Sequence, residues 1–422
     1  MTDPLTRMPD GTIKQVNPFT GTKVWTIPGR GARPLVTRRR DPQPLDPAEH
    51  DRHCAFCWGR MLETTPEIAR VVPTATGWEQ VRGLPADDLG TSRPEFRLIP
   101  NLYEILSYDY WRRAHGWRGA PDTSARLTSY VSTPLGREHI GDIVRTKLLA
   151  RGVPADRVAE RSYEDHLADA IEFFAPNHEV IVARRHFVDG ATDDSQLAGS
   201  GTLSVAEHRE FVAFTISALR GLYEDNEFAR YVSAFQNWGD RAGASFDHLH
   251  KQLVAIDELG VQIEREAARA EQEPDLYERW GATYAAEQGL VIASTPGAVA
   301  FAGVGHQYPS IEIHAGDPWS LPWELDEAQV HDFADLLHAC HAATGVEVPS
   351  NEEWHHRPPS LALPMPLRAV IKWRVSTLAG FEGGTKIYVT TLDPWALRDR
   401  VVRRLRDLVE AGAVSASVQV AD

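Results

Sequence analysis

The chain has 422 residues, 42% of them hydrophobic and 24% charged, which suits an ordinary soluble protein with room for two or three cores. Its 44 basic and 59 acidic residues give a net charge of -15, which argues against general affinity for nucleic acid. No apolar run reaches the ~20 residues that span a bilayer, the N-terminus lacks the apolar stretch of a signal peptide, and three cysteines are too few for a disulfide scaffold.

Residues 1–50, rich in Pro, Gly and Arg, predict an irregular arm with one short strand at 24–27. A strand at 96–100 enters Asn101, and from 108 to 175 the chain turns helical and polar, with helices expected at 135–151 and 157–174. Strand 178–183, helix 204–225, strand 231–235 and strand 249–256 follow. A charged helical stretch at 258–288 reads as a linker. The second half then gives strands at 290–294, 299–301, 310–313 and 369–374, with helices at 326–344 and 394–411, the last opening on proline. Strand, long helix, strand thus occurs around 178–256 and again around 310–374. The expectation is an α+β fold of two duplicated units, residues 1–260 and 261–422, each an antiparallel sheet with packed helices, plus a helical insertion at 104–175.

The most informative run is N-W-G-D-R-A-G-A-S-F-D-H-L-H-K-Q, residues 237–252. Residues two apart on a strand share a face, so His248, His250 and Gln252 project together. A turn containing Gly243 and Ser245, with Asn237 ahead of it, offers close backbone approach to a phosphate. A neutral imidazole can attack phosphorus and carry the group covalently, and His250 is the candidate. Paired strand histidines are otherwise polar surface or an incidental metal site.

Cys54-Ala-Phe-Cys57 supplies half of a tetrahedral zinc site. His248 is the first candidate for the other half and His186 the second, with His178 and His53 as weaker rivals. A redox pair or two buried thiols are the alternatives. Four protein ligands leave no open position, so such a site is structural and pins the strand that carries His250.

These residues resemble the galactose-1-phosphate uridylyltransferase family of the histidine-triad superfamily, whose relatives include ADP-glucose phosphorylase and diadenosine tetraphosphate phosphorylase. The family pattern N-x-G-x-x-x-G-x-S-x-x-H-P-H-x-Q matches 237–252, with Leu249 in place of proline. N-P-F-T-G-T-K-V-W-T-I-P-G-R-G-A-R-P resembles the family's N-terminal segment, F-R-L-I-P-N-L-Y its strand before the nucleotide, and A-G-F-E-G-G-T-K-I-Y-V a phosphorylase-like C-terminal run.

The resemblance implies two histidine-triad-like domains and a structural Zn2+ held by Cys54, Cys57, His186 and His248. It implies His250 as the nucleotidyl acceptor and Gln252 as stabiliser of the intermediate. Arg30, Arg33, Asn101 and Asn237 would lie at the nucleotide, with Gly243 and Ser245 at its phosphates. The implied activity moves a nucleoside monophosphate between a nucleotide sugar and a sugar 1-phosphate, in a cytoplasmic homodimer. Resolution by inorganic phosphate is the nearest alternative, and a non-catalytic zinc-held nucleotide-binding protein the alternative of another class. The second half departs from the family: R-A-V-I-K-W-R at 368–374 lacks the expected histidines, which argues against a second metal. Lys372 and Arg374 there read more readily as solvated cations than as phosphate ligands.

Overall fold

A computed structural model describes residues 3–29 and 41–422. In chain order, β1 (Leu5–Arg7), β2 (Ile13–Val16) and β3 (Lys23–Thr26) precede the hairpin of β4 (Ala69–Thr74) and β5 (Gly77–Arg82), and then β6 (Phe96–Pro100). The insertion carries α1 (Tyr108–His115), α2 (Thr123–Tyr130), α3 (Pro134–Ala150), α4 (Ala155–Ala159) and α5 (Tyr163–Ala170). β7 (His178–Ala183), α6 (Val205–Asp225), β8 (Tyr231–Trp238) and β9 (His250–Ile256) complete the first half. After α7 (Val261–Gln272) and α8 (Tyr284–Glu287) come β10 (Val291–Thr295), β11 (Ala298–Ala302), β12 (Ser310–Ala315), α9 (Glu327–Thr344), β13 (Ser350–His355) and β14 (Arg368–Trp373). α10 (Gly380–Thr385), β15 (Ile387–Thr390), α11 (Pro394–Glu410) and β16 (Gln419–Val420) close the chain.

Among the described residues, twelve strands form one sheet in the order β16-β10-β11-β12-β14-β13-β8-β9-β7-β6-β4-β5. Within it the arrangement repeats. In each half a strand leads through a long helix to a second strand, and a third strand inserts between them: β7-β9-β8 and β12-β14-β13. The fold is therefore the expected α+β duplication, with the helical insertion between β6 and β7. Both long helices start on a capping box, Ser204 with Glu207 and Asp326 with Gln329, which satisfies free N–H groups at the first turn. α6, α9 and α11 bury their apolar sides on one face of the sheet, where Val232, Leu253, Ile313, Ala369 and Ile371 form part of a continuous core. No helix of the described residues is long and apolar enough to cross a membrane.

The two halves meet at an antiparallel seam, β8 against β13, with Asn237 opposite Asn351 and Phe235 opposite Glu353. Behind that seam lies a fully buried ion pair. Lys251 of β9 reaches Glu352 of β13 at 2.6 Å, with both side chains at 0% exposure. Its ammonium lies 4.6 Å from the ring centres of Phe211 and Trp354, and Glu352 also accepts from the Trp354 indole and from His341 at 2.6 Å. Every charge in the group has a partner, which is what makes such burial tolerable.

Three expectations need correction. The N-terminal segment is not simply an irregular arm, because β1, β2 and β3 build a four-stranded sheet that takes β15 as its parallel edge. The helix expected at 157–174 breaks after α4, since Ser162 caps a new helix through a reciprocal box with Asp165. β4, β5 and β13 were not expected. Replacing Lys251 by methionine leaves Glu352 buried without its ammonium and should cost about 3–5 kcal/mol in denaturant unfolding. The double variant with Glu352→Leu should recover part of that loss; equal additive losses would show that the pair is not coupled.

Candidate active site

The C-x-x-C segment forms a tight turn, closed by Cys57 N–H donating to Cys54 C=O at 3.0 Å. It places both thiols against His186, which follows β7, and His248, which precedes β9. The sulfurs are 3.8 Å apart, too far for a disulfide. Cys54 Sγ lies 3.4 Å from Nδ1 of each histidine, and Cys57 Sγ lies 3.8 Å from His186 Nδ1 and 3.7 Å from His248 Nδ1. A tetrahedron with metal–sulfur bonds of about 2.3 Å and metal–nitrogen bonds of about 2.0–2.1 Å has edges of roughly 3.8 Å and 3.5 Å. The donor set therefore fits a closed four-coordinate ion. It is the one such cluster among the described residues. The hydrogen bond from Cys54 holds the Cys57 thiol far below its ordinary range, with His186 and His248 adding to the effect, so a thiolate is favoured there. Of the rival ligands, His53 only packs edge-on against His186, and His178 lies on β7 away from the thiols.

His248 and His250 take opposite tautomers, and the backbone decides both. His248 Nε2 lies 2.7 Å from Ala183 C=O, which can only accept, so Nε2 carries the proton and Nδ1 turns its lone pair to the thiols. His250 Nδ1 lies 2.8 Å from His248 C=O, so here Nδ1 is protonated and Nε2 is left with the lone pair. Burial lowers the pKa of His250 and keeps the ring neutral. Phe56, from the C-x-x-C turn, stands 5.3 Å from the His250 ring and 4.6 Å from Phe246, forming a wall beside it.

Gln252 points to the same face. Ile105 N–H donates to His178 Nδ1 at 3.3 Å, and His178 Nε2 lies 2.9 Å from Gln252 Oε1 and 3.0 Å from Asn101 Nδ2. Asn101 Nδ2 also donates to that oxygen at 3.4 Å. With its oxygen occupied, Gln252 has no protein acceptor for its amide N–H groups among the described residues. His178 is held near 4 by burial, below its ordinary 6.5, despite the opposing bond from Gln252.

Asn237 Oδ1 accepts from Asn351 Nδ2 at 2.7 Å, and Asn351 Nδ2 also donates to Ala242 C=O at 2.8 Å, which fixes the loop. Gly243 adopts φ +85°, a left-handed turn that favours glycine, and is exposed, as is Ser245. Arg30 and Arg33 lie outside the described residues.

Lys372 and Arg374 share this face but are not simply solvated. Lys372 pairs with Glu353 at 2.6 Å, while Arg374 donates to Asn351 Oδ1 at 2.6 Å and lies over Tyr308. The orienting roles of His178 and Asn351 are visible only through strand register, which sets Val180 opposite Gln252 and Asn237 opposite Asn351.

Residues 8–422 match a family model described as a domain of unknown function, DUF4921. The chain belongs to the DUF4921 family. It is 22% identical over 391 residues to the ADP-glucose phosphorylase of Arabidopsis thaliana, covering 90% of this chain and 89% of that one. Two solved structures from the same plant share the fold. An ADP-glucose phosphorylase with bound ADP-glucose superposes with a TM-score of 0.59 at 19% identity, over 93% of this chain and 98% of the other. A GalT-like protein gives 0.56 at 18%, with the same coverage of each chain. This DUF4921 protein thus shares its mixed α+β fold with those two plant proteins.

Elemental analysis of this DUF4921 protein should find one tightly held metal per chain, lost together with stability in Cys57→Ala. Intact stability in a variant that lacks metal would remove the cluster's role. His178 supplies a pH test. The unfolded imidazole protonates near 6.5 but the folded one only near 4, so stability is lost as pH falls through that window. His178 contributes on the order of 3 kcal/mol to that loss, so unfolding curves at both ends should show a fall smaller by about this amount in His178→Asn, with other buried histidines such as His356 supplying the rest.

Proposed function

We propose that this protein is a nucleotidyltransferase that works through a covalent nucleotidyl-histidine at His250, with a nucleotide sugar as donor. The observation that carries the reading is the His250 ring itself. It is neutral and buried, and its proton is held on Nδ1 by His248 C=O, so Nε2 is free. Nε2 attacks the α-phosphorus of the donor. The bond from that phosphorus to the bridging oxygen breaks, and a sugar 1-phosphate leaves with the electron pair. The charge that develops on the imidazole is met by the Nδ1–H bond to His248 C=O. Gln252 N–H groups face the nonbridging oxygens, where one such donor contributes on the order of 10²-fold. An acceptor oxygen then attacks the same phosphorus and frees His250.

In this reading Asn101 and Asn237 hold the nucleotide, joined by Arg30 and Arg33, while Gly243 and Ser245 approach its phosphates. The metal at Cys54, Cys57, His186 and His248 is zinc. With four protein ligands it has no open position, and it acts by fixing the backbone from which His250 projects. We read the chain as two histidine-triad-like units divided near residue 260, the first bearing the chemistry.

Two acceptors follow from different observations. The motif at 237–252 favours a sugar 1-phosphate, as in uridylyl exchange. The relative matched over nine-tenths of the chain is named ADP-glucose phosphorylase, which favours inorganic phosphate and makes ADP-glucose the first donor to try. Incubation with adenylate-labelled ADP-glucose and a panel of other nucleotide sugars should place an acid-labile, base-stable label on the protein. His250→Asn should fold, keep its metal and take no label, with turnover down by on the order of 10⁴ or more. Release of the label as nucleoside diphosphate by phosphate, or as nucleotide sugar by a sugar 1-phosphate, separates the two acceptors. No label from any donor would sink the covalent reading and leave a binding protein.

A further inference from the structure

The open face of the sheet carries a cavity on the second-half side of His250. It measures about 550 Å³, within the range of small-molecule sites, and lies over the seam of β8 and β13. The first turn of α7 borders it. Strand register ties the cavity to the proposed reaction centre. Phe235 pairs with Gln252 in the β8–β9 ladder, and Asn237, two residues on, lies toward His250 on the same face. Glu353 stands opposite Phe235 across the seam, two strand spacings or about 10 Å from β9.

The polar groups around this cavity are only partly used. Asn237 Nδ2, Ser233 Oγ and the His355 ring make no hydrogen bond among the described residues. Glu353 gives Oε2 to Lys372 at 2.6 Å, and its Oε1 has no partner there. Arg374 donates through Nη1 to Asn351 and leaves its Nε–H without an acceptor. Burial, with Arg368 and Lys372 close by, holds His355 well below its ordinary 6.5. Its ring is therefore neutral and offers one donor and one acceptor. Half-buried Phe235 adds a flat apolar surface.

Donors and acceptors are thus mixed around one void. Hydroxyl groups, which donate and accept at once, satisfy such a set. The other side of Gln252 differs: the segment after Asn101 exposes Tyr103 at 60% and Ile105 at 63%, apolar surface better matched to a base. With the transferred phosphorus at His250, the two arms of a nucleotide sugar diverge to these two sides. We infer that the seam cavity holds the sugar of the donor, a hexose-sized ring, so that the second half of the chain selects the leaving group. The inference rests on the nucleotidyl-transfer reading for the position of the phosphorus. Sites built to hydrogen-bond hydroxyls discriminate strongly, because a ligand lacking them leaves the polar groups unpaired.

Equilibrium binding to the His250→Asn chain tests this without turnover. ADP-glucose and UDP-glucose are each compared with the matching diphosphate, ADP or UDP. At least one nucleotide sugar should bind. Ser233→Trp in the same chain, which fills the cavity and removes no hydrogen bond, should weaken it about tenfold or more. The matching diphosphate should change by less than about threefold. Glu353→Gln, which keeps an acceptor for Lys372, should weaken the nucleotide sugar with the same selectivity. Equal weakening of sugar and diphosphate, binding indifferent to both substitutions, or no binding by either nucleotide sugar would overturn the assignment. The covalent reading fails differently: no label reaches His250 of the unaltered chain, while the sugar-dependent difference in binding persists.

Discussion

The architecture depends on what strand β9 must do on its two faces. Lys251 points into the helix-covered core and meets Glu352 across the seam, while His250 and Gln252, one residue to either side, point to the opposite face. Because side chains alternate strictly, a slip of one residue would bury the imidazole in the core and turn the ammonium outward. The buried pair therefore acts as a register mark. A lysine without its carboxylate is unacceptable in that core, so a single alignment of β9, β8 and β13 satisfies it. Conformational specificity is the best-attested use of such pairs, and here it operates directly behind the proposed nucleophile.

The same strand shows how two identical residue types separate into two roles without any difference in chemistry. Main-chain carbonyls select the proton position on each ring, Ala183 for His248 and His248 for His250. One ring then presents Nδ1 to thiols and the other presents Nε2 to an open face. Phe56 links the two sites further, because the turn that supplies both sulfurs also supplies the wall beside His250. By reciprocity, an ion held by the four ligands that affects the posture of His250 changes its own affinity when that ring is modified.

Much of this was legible in the residues. The strands at 96–100 and 178–183, the two long capped helices and the repeated strand-helix-strand order coincide with the elements seen. The metal set Cys54, Cys57, His186 and His248 also comes together as expected. What escaped has physical causes. S-N-E-E-W-H at β13 carries two adjacent glutamates and drew no strand assignment, yet each charge is answered across the sheet, Glu352 by Lys251 and Glu353 by Lys372. Pro73 and the buried Arg70 disguise β4; the arginine is satisfied by Glu67 close by in sequence. His178 looked like a spare metal ligand, because only the pairing of β7 with β9 shows that it faces Gln252. The general lesson is that period and caps are local, whereas pairing partners are not.

The seam also fixes an asymmetry. Strand β14 occupies in the second half the place that β9 holds in the first, but it shows Arg368, Val370 and Lys372 to the open face instead of histidines. Arg368 is bound to Glu266, and Glu312 beside it accepts from His306 and His314. In the second half Arg368, Glu312, His306 and His314 are thus tied to one another or to Glu266. Under the proposed chemistry the pre-steady-state burst has an amplitude of one per chain, although the architecture contains the same unit twice. Under that proposal duplication yields a scaffold and a reactive unit from one plan, and loosening the scaffold half is felt first as imprecision at His250.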